Sequence, residues 1–231
     1  ELNKHSRRIL KKYQNFDWVA GKQFGQQAYY VIYKILNRND LIPLNISENY
    51  KPLLTNSINN EFVFIEETLG NSLGVAIGLA LSQTNPIWIN LSDSVFQMGR
   101  VQEALRIISQ FNLNIFITID GNKSSRCTDL SNSKSYYGNK NPLLYIKNLA
   151  KTNNIPFFAA DAFKDNNFKD IYKKATKCIE MNGPRILYFN TIKGNGVEEF
   201  ETNSVNWHYK KMTEEEYNKI LNNKNNFNLE H

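Results

Sequence analysis

The strongest constraint on how this chain can fold is a pair of apolar runs with polar punctuation. Pro86-Ile87-Trp88-Ile89-Asn90-Leu91 leads into Ser92-Asp93-Ser94, and Asn114-Ile115-Phe116-Ile117-Thr118-Ile119-Asp120 leads into Gly121-Asn122. A helix-like stretch lies between them, and Asp93 and Asn122 stand 29 residues apart. Two short strands joined by a crossover helix are parallel neighbours, and the residues that follow them share one sheet edge. A carboxylate and an amide oxygen at that edge, with a backbone carbonyl near Ser124, suit one hard cation, magnesium or calcium. Such a cation can hold a diphosphate. Asp and Asn after strands are also ordinary turn residues, and the spacing alone leaves both readings open.

The rest of the chain extends the same alternation. Apolar spacing predicts helices over Asn3–Tyr13 and Gly25–Leu36, a turn-rich connection through Asn37–Tyr50, and a short strand over Phe62–Ile65. A small-residue helix is expected over Gly70–Leu81, packed closely because Gly74, Ala76, Gly78 and Ala80 carry little bulk. Strand Ile87–Leu91, helix Gly99–Gln110 and strand Ile115–Ile119 follow. The loop Gly121–Asn141 is rich in Ser, Asn and Gly and long for a compact domain, so it is expected to move without ligand and to close on a cofactor or partner. Helix Pro142–Lys151, strand Pro156–Ala159, helix Phe168–Met181 and strand Arg185–Phe189 come next. An irregular stretch, Thr191–His208, precedes a last helix with Thr213 as N-cap and Glu214, Glu215 and Glu216 in its first turn. The pattern predicts an α/β fold, a parallel sheet flanked by helices on both faces, as a single domain over residues 1–228. Leu229-Glu230-His231 reads as the remnant of a purification tag.

A chain of 231 residues, 41% hydrophobic, can bury one substantial core. No apolar run is long enough to cross a bilayer. The polar, basic start carries no signal peptide pattern. Cys127 and Cys178 lack zinc spacing and make no disulfide scaffold, so a reducing cytoplasm is expected. The net charge of +6 comes from lysines scattered among acidic residues, without an aromatic-basic module; this argues against a nucleic-acid partner and suits a phosphorylated small molecule.

Two further segments carry chemistry. In Glu67-Thr68-Leu69-Gly70-Asn71-Ser72-Leu73-Gly74, glycines at a helix start let backbone approach a ligand and present N–H groups to an anion; a tightly packed core helix explains the same residues. Thr191-Ile192-Lys193-Gly194-Asn195-Gly196-Val197, followed by Trp207-His208, could present His208 to a pocket. A lone histidine in a tail is more often structural or solvated.

Together these segments resemble the N-terminal, diphosphate-binding half of the transketolases. Leu69-Gly70-Asn71-Ser72-Leu73-Gly74-Val75-Ala76-Ile77-Gly78-Leu79-Ala80 resembles the family's glycine-rich helix start. Ser92-Asp93-Ser94, then Gly99, Glu103-Ala104 and Asn122, resembles its thiamine diphosphate motif. Thr191-Ile192-Lys193-Gly194-Asn195-Gly196-Val197 with Trp207-His208 resembles its Thr-Ile-Lys-Gly-x-Gly-Val and Trp-His ending. The resemblance implies the thiamine diphosphate-binding fold of the diphosphate-binding type, with thiamine diphosphate and magnesium as cofactors. It implies Asp93, Asn122 and the Ser124 carbonyl as metal ligands, and Ser92 and Ser94 beside the diphosphate. Leu69 would lie against the cofactor rings, the Glu67 backbone at the aminopyrimidine, and His208 near the diphosphate and the reacting carbon as the catalytic residue.

The chain also departs from that pattern. Ser92 and Ser94 replace both glycines of the usual Gly-Asp-Gly. Met98 stands where a glutamate wires two active sites together, Glu67 replaces a glycine, and Tyr50 and Lys22 fall where substrate-contacting histidines belong. The resemblance further implies a split enzyme. This subunit would work with a separate C-terminal transketolase-like polypeptide carrying the pyrimidine-binding domain, as a heterotetramer, moving a two-carbon ketol unit from a ketose to an aldehyde. A non-catalytic homologue acting as a binding or regulatory partner, a carboligase with a keto acid donor, and a chain cut from a longer protein are the alternatives.

Overall fold

In the computed structural model the described residues are 17–20, 63–65, 69–125, 128–129, 141–162, 168–208 and 210–225. The expected helices Asn3–Tyr13 and Gly25–Leu36, the connection Asn37–Tyr50, Lys22, Glu67 and most of the loop Gly121–Asn141 lie outside them.

Six strands form one parallel sheet. They are β1 (Asp17–Ala20), β2 (Val63–Ile65), β3 (Ile87–Ser92), β4 (Ile115–Gly121), β7 (Phe157–Asp161) and β8 (Arg185–Asn190), in the order β2-β1-β3-β4-β8-β7. A small antiparallel pair, β5 (Ser124–Ser125) and β6 (Thr128–Asp129), follows β4. The chain leaves β1 toward one side of the sheet and β3 toward the other. The crevice for a ligand in such a sheet opens at this reversal, beyond the carboxyl ends of the strands.

The apolar runs are strands because alternate residues feed opposite faces. Ile87, Ile89 and Leu91 pair in register with Ile115, Ile117 and Ile119, and Ile117 and Ile119 with Ile186 and Tyr188. That face makes the main core with α1 (Ser72–Ser82), α2 (Gly99–Gln110) and α3 (Pro142–Thr152), through Leu73, Ala76, Val101, Leu105, Ile108, Ile146 and Ala150. On the other face α4 (Phe168–Glu180) lies over β7 and β8. There Lys177 sits above the Phe158 ring, and the buried Arg185 donates from Nε to the Cys178 carbonyl at 2.8 Å. The α/β architecture with helices on both faces is therefore as the alternation of elements predicts.

Helix α2 has the predicted bounds; other elements differ for local reasons. β1 belongs to no predicted element, since four residues carry too little periodicity. β4 runs on through Asp120 and Gly121, because Asp120 pairs with Ser92 on one side and Phe189 on the other. β7 reaches Asp161 by pairing with Asn190. The stretch Thr191–His208 is not irregular throughout. It forms the short helix α5 (Glu198–Thr202) and a 3-10 turn (Asn206–His208), held together by the Phe200 and Trp207 rings at 4.7 Å. The tight packing expected of Gly74 and Gly78 is also absent: among the described residues no atom lies within 4 Å of where a Cβ would stand on either. Leu73 and Ala76 face the core instead, which turns the two glycines outward.

The last helix, α6 (Glu214–Asn225), starts with a reciprocal cap. The Glu216 N–H donates to the Thr213 hydroxyl at 3.2 Å, and the Glu216 carboxylate accepts from the Thr213 N–H at 3.0 Å. Among the described residues no helix is long and apolar enough to cross a membrane.

Candidate functional site

Asp93 leaves the end of β3 as the first residue of a 3-10 turn, Asp93–Gln97, and is fully buried. Its Oδ2 accepts the backbone N–H of Lys123 at 2.7 Å. That bond ties the end of β3 to the loop after β4, one residue beyond Asn122. Lys123 adopts φ +56°, in the left-handed region that a side-chain-bearing residue rarely takes. Strain of this kind gathers where a loop must aim its N–H groups at a fixed target.

Asn122 is held on both sides. Its Nδ2 donates to Asp120 Oδ2 at 3.1 Å and its Oδ1 accepts the Ser124 N–H at 3.0 Å. The other Asp120 oxygen accepts from the Thr191 hydroxyl. The loop after β4 is thus fastened to β3 through Asp93 and to the segment after β8 through Thr191, with Thr191 N–H also donating to the Gly121 carbonyl at 3.3 Å.

From Ser124 the bonded chain continues. Lys193 Nζ lies 3.3 Å from Ser124 Oγ and 3.0 Å from His208 Nδ1. Asp93, Asn122, Ser124 and His208, chosen from the sequence, are therefore brought to one edge, linked through Lys123 and Lys193. Asn190 donates to Asp161 at 3.1 Å at the same edge. Leu69 packs against the core ahead of α1. Gly70, at φ +90° next to it, is followed by Asn71, whose side chain accepts from Arg100.

Ser92 and Ser94 are both buried, with their hydroxyl oxygens 2.6 Å apart. Each hydroxyl owns one proton and one of the two is spent in this bond, so the pair keeps a single O–H for any phosphate.

The donors here are all hard oxygens. Among the described residues no group of three or more His, Cys, Asp or Glu side chains could hold a metal. A cation at this edge would take one carboxylate, from Asp93, with the Asn122 amide oxygen and a backbone carbonyl, and the rest of its charge from a bound anion. Carboxylate and amide oxygens accept more than one bond, so the contacts to Lys123 and Ser124 leave lone pairs for the ion. The donor set fits magnesium or calcium with a diphosphate.

Thr191 and Lys193 were read from the sequence only as part of the glycine-rich turn, without roles of their own; Asp120 and Tyr188 were not singled out. Tyr188 is fully buried on β8, and its hydroxyl has no hydrogen-bond partner among the described residues. Its ring and oxygen fill the space that a side chain on Gly121 would occupy. Burial pushes its phenol well above the ordinary range, and the charges of Asp93 and Asp120 push in the same direction. Nothing local in an apolar run marks such a tyrosine; the glycine across the sheet is the only signal.

No protein-family model matches the sequence, and no curated protein matches it. Among solved structures the chain is similar to a transketolase from Campylobacter jejuni, with 17% identity over 62% of this chain and 23% of that one and a TM-score of 0.49. It is also similar to a transketolase from Leishmania mexicana, with 18% identity over 59% of this chain and 22% of that one and a TM-score of 0.45. The chain spans under a quarter of the length of either. Identities this low say nothing of activity.

Proposed function

We propose that this chain is the diphosphate-binding half of a thiamine-diphosphate-dependent, transketolase-like transferase. The observation that carries the reading is the bond from Lys123 N–H to Asp93, which sets the Asp93 carboxylate beside the Asn122 loop at the reversal point of a parallel sheet. Asp93, Asn122 and the Ser124 carbonyl would hold the cation, and the cation the diphosphate. Leu69 would lie against the rings, with the Glu67 backbone at the aminopyrimidine. When bound, the cofactor supplies a thiazolium carbon that stabilises a carbanion. This chain's own part is to bind, to orient and to offset developing charge. His208, whose Nδ1 accepts from Lys193, carries its proton on Nε2, which would donate to charge that develops on a substrate oxygen.

The site needs a second face. In this reading it comes from a separate subunit bearing the pyrimidine-binding domain, in a two-fold symmetric heterotetramer, in the cytoplasm. The donor is a ketose and the acceptor an aldehyde.

A second reading draws on Ser92 and Ser94. Their hydroxyls bond to each other where the resembled motif has bare backbone, which favours a non-catalytic homologue that only binds a partner.

Calorimetric titration of thiamine diphosphate with magnesium into the chain mixed with its partner separates the two. Binding that Asp93→Ala abolishes supports the enzyme. Binding by Asp93→Ala as tight as by the wild type, or none by the wild type, rejects it. Turnover of ketose rather than keto acid donors then separates transketolase-like from carboligase chemistry. His208→Ala should spare binding and lower turnover by about 10²–10⁴-fold.

A further inference from the structure

Tyr188 is fully buried, and among the described residues its hydroxyl has no hydrogen-bond partner. It stands on β8 in register with Ile119 of β4 and Ala159 of β7, inside the apolar core. A phenylalanine would fill that part of the core equally well. The hydroxyl instead reaches the strand ends, into the space left open by Gly121. Gly121 is bonded in sequence to Asn122, and Lys123 next to it donates to Asp93. The phenol therefore sits beneath the backbone loop that carries the amide oxygen and is tied to the carboxylate. A phenol keeps its proton at neutral pH, so it can donate.

Resting on the cation site proposed above, we infer that Tyr188 is a positioning residue of that site: its O–H, housed against Gly121, donates to the Asp93 carboxylate through one buried water and fixes which oxygen faces the ion. Asp93 is buried and its Oδ2 already takes the Lys123 N–H. A second donor from below sets the tilt of the carboxylate plane. Outer donors of this kind govern how well a ligand oxygen is aimed. The protein thus gives up any side chain at residue 121 so that a tyrosine from the neighbouring strand can reach the site.

Tyr188→Phe removes one oxygen and leaves the ring in place. Mn2+ is titrated, with thiamine diphosphate present, into the full chain with its partner subunit, and free Mn2+ is read by electron paramagnetic resonance. Tyr188→Phe should weaken Mn2+ binding by about 10–100-fold. Its thermal midpoint without ion or cofactor should change little, since the ring stays in place and only one water-bridged bond is lost. Wild-type affinity in Tyr188→Phe overturns the inference. So does a large drop in the midpoint of the ion-free variant, which would make the hydroxyl a stabilising element of the core alone. If the wild type itself binds no Mn2+ that Asp93→Ala removes, the cation site falls and this role falls with it.

Discussion

Lys193 and His208 meet with Nζ 3.0 Å from Nδ1. A lysine ammonium has three donors and no acceptor, so Nδ1 must accept and the ring proton must sit on Nε2. Fixing a histidine through one nitrogen is how the other is assigned its role.

The first prediction follows from that contact. Nitrogen-15 NMR should show His208 with a bare Nδ1 and a protonated Nε2. The chain has three histidines, so His208→Ala assigns the resonances. Lys193→Met should give a mixture of the two tautomers, while Lys193→Arg should keep most of the wild-type pattern. Unchanged spectra in Lys193→Met would show that the lysine does not set the ring.

Gly121→Ala should destabilise the protein strongly. An added Cβ would collide with the Tyr188 ring and hydroxyl, and overpacking of a filled core costs about 1–3 kcal/mol, occasionally more. Because the obstacle is a single side chain, Tyr188→Val should recover part of the loss in the double variant. A double-mutant cycle from urea unfolding measures the coupling, expected at about 1 kcal/mol or above. Strict additivity would mean that the two residues do not share the space.

Cys178 gives the pH dependence. Burial pushes its thiol up from 9.0 to about 12, so the folded chain keeps its proton after the unfolded chain has lost it. Stability present below pH 9 is therefore lost as pH rises from about 9 toward 12. Arg185 acts with the opposite sign. Burial lowers it from 12.5 to about 10, so from about pH 10 upward the unfolded chain holds more protons and stability gains. Of these two groups only the thiol titrates between about pH 9 and 10. There the stability of Cys178→Ala, measured by urea unfolding, should rise relative to the wild type by up to about 1.4 kcal/mol per pH unit. A constant difference would show that the thiol does not ionise on unfolding.

Thr213→Ala should remove one half of the reciprocal cap on α6. The expected cost is about 1 kcal/mol, confined to that helix. Hydrogen exchange should show faster amides along residues 214–220 and unchanged protection in β3 and β4. Equal loss throughout would mean that α6 unfolds only with the whole molecule.

How legible all this was depended on how local each signal is. The apolar runs Ile87–Leu91 and Ile115–Ile119 were readable because burial on both faces leaves one polar residue in each, Asn90 and Thr118, which bond to each other. Asp93 and Asn122 were readable because each follows such a run directly. Asp120 was harder: a carboxylate inside a strand needs partners, and of the two that answer it, Asn122 and Thr191, the second lies 71 residues away. Tyr188 was not readable at all, since tyrosine among Ile186, Leu187 and Phe189 looks like any other large core residue. Its meaning comes from Gly121 on the neighbouring strand. The helix after Val197 was missed because five residues carry too little periodicity, and acidic residues in a first turn are a weak signal by themselves.

Arg185 shows what a sheet with every strand pointing one way makes possible. At the opening of β8 its guanidinium gathers the Cys178 and Gly183 carbonyls and the Asn114 amide oxygen, with its flat face toward Phe116. The candidate site lies at the other end of the same strand, past Asn190. Anchorage and candidate site are thus kept a strand's length apart. Substitutions on that rim need not loosen the knot at its base, and the rim is free to diverge while the scaffold stays put.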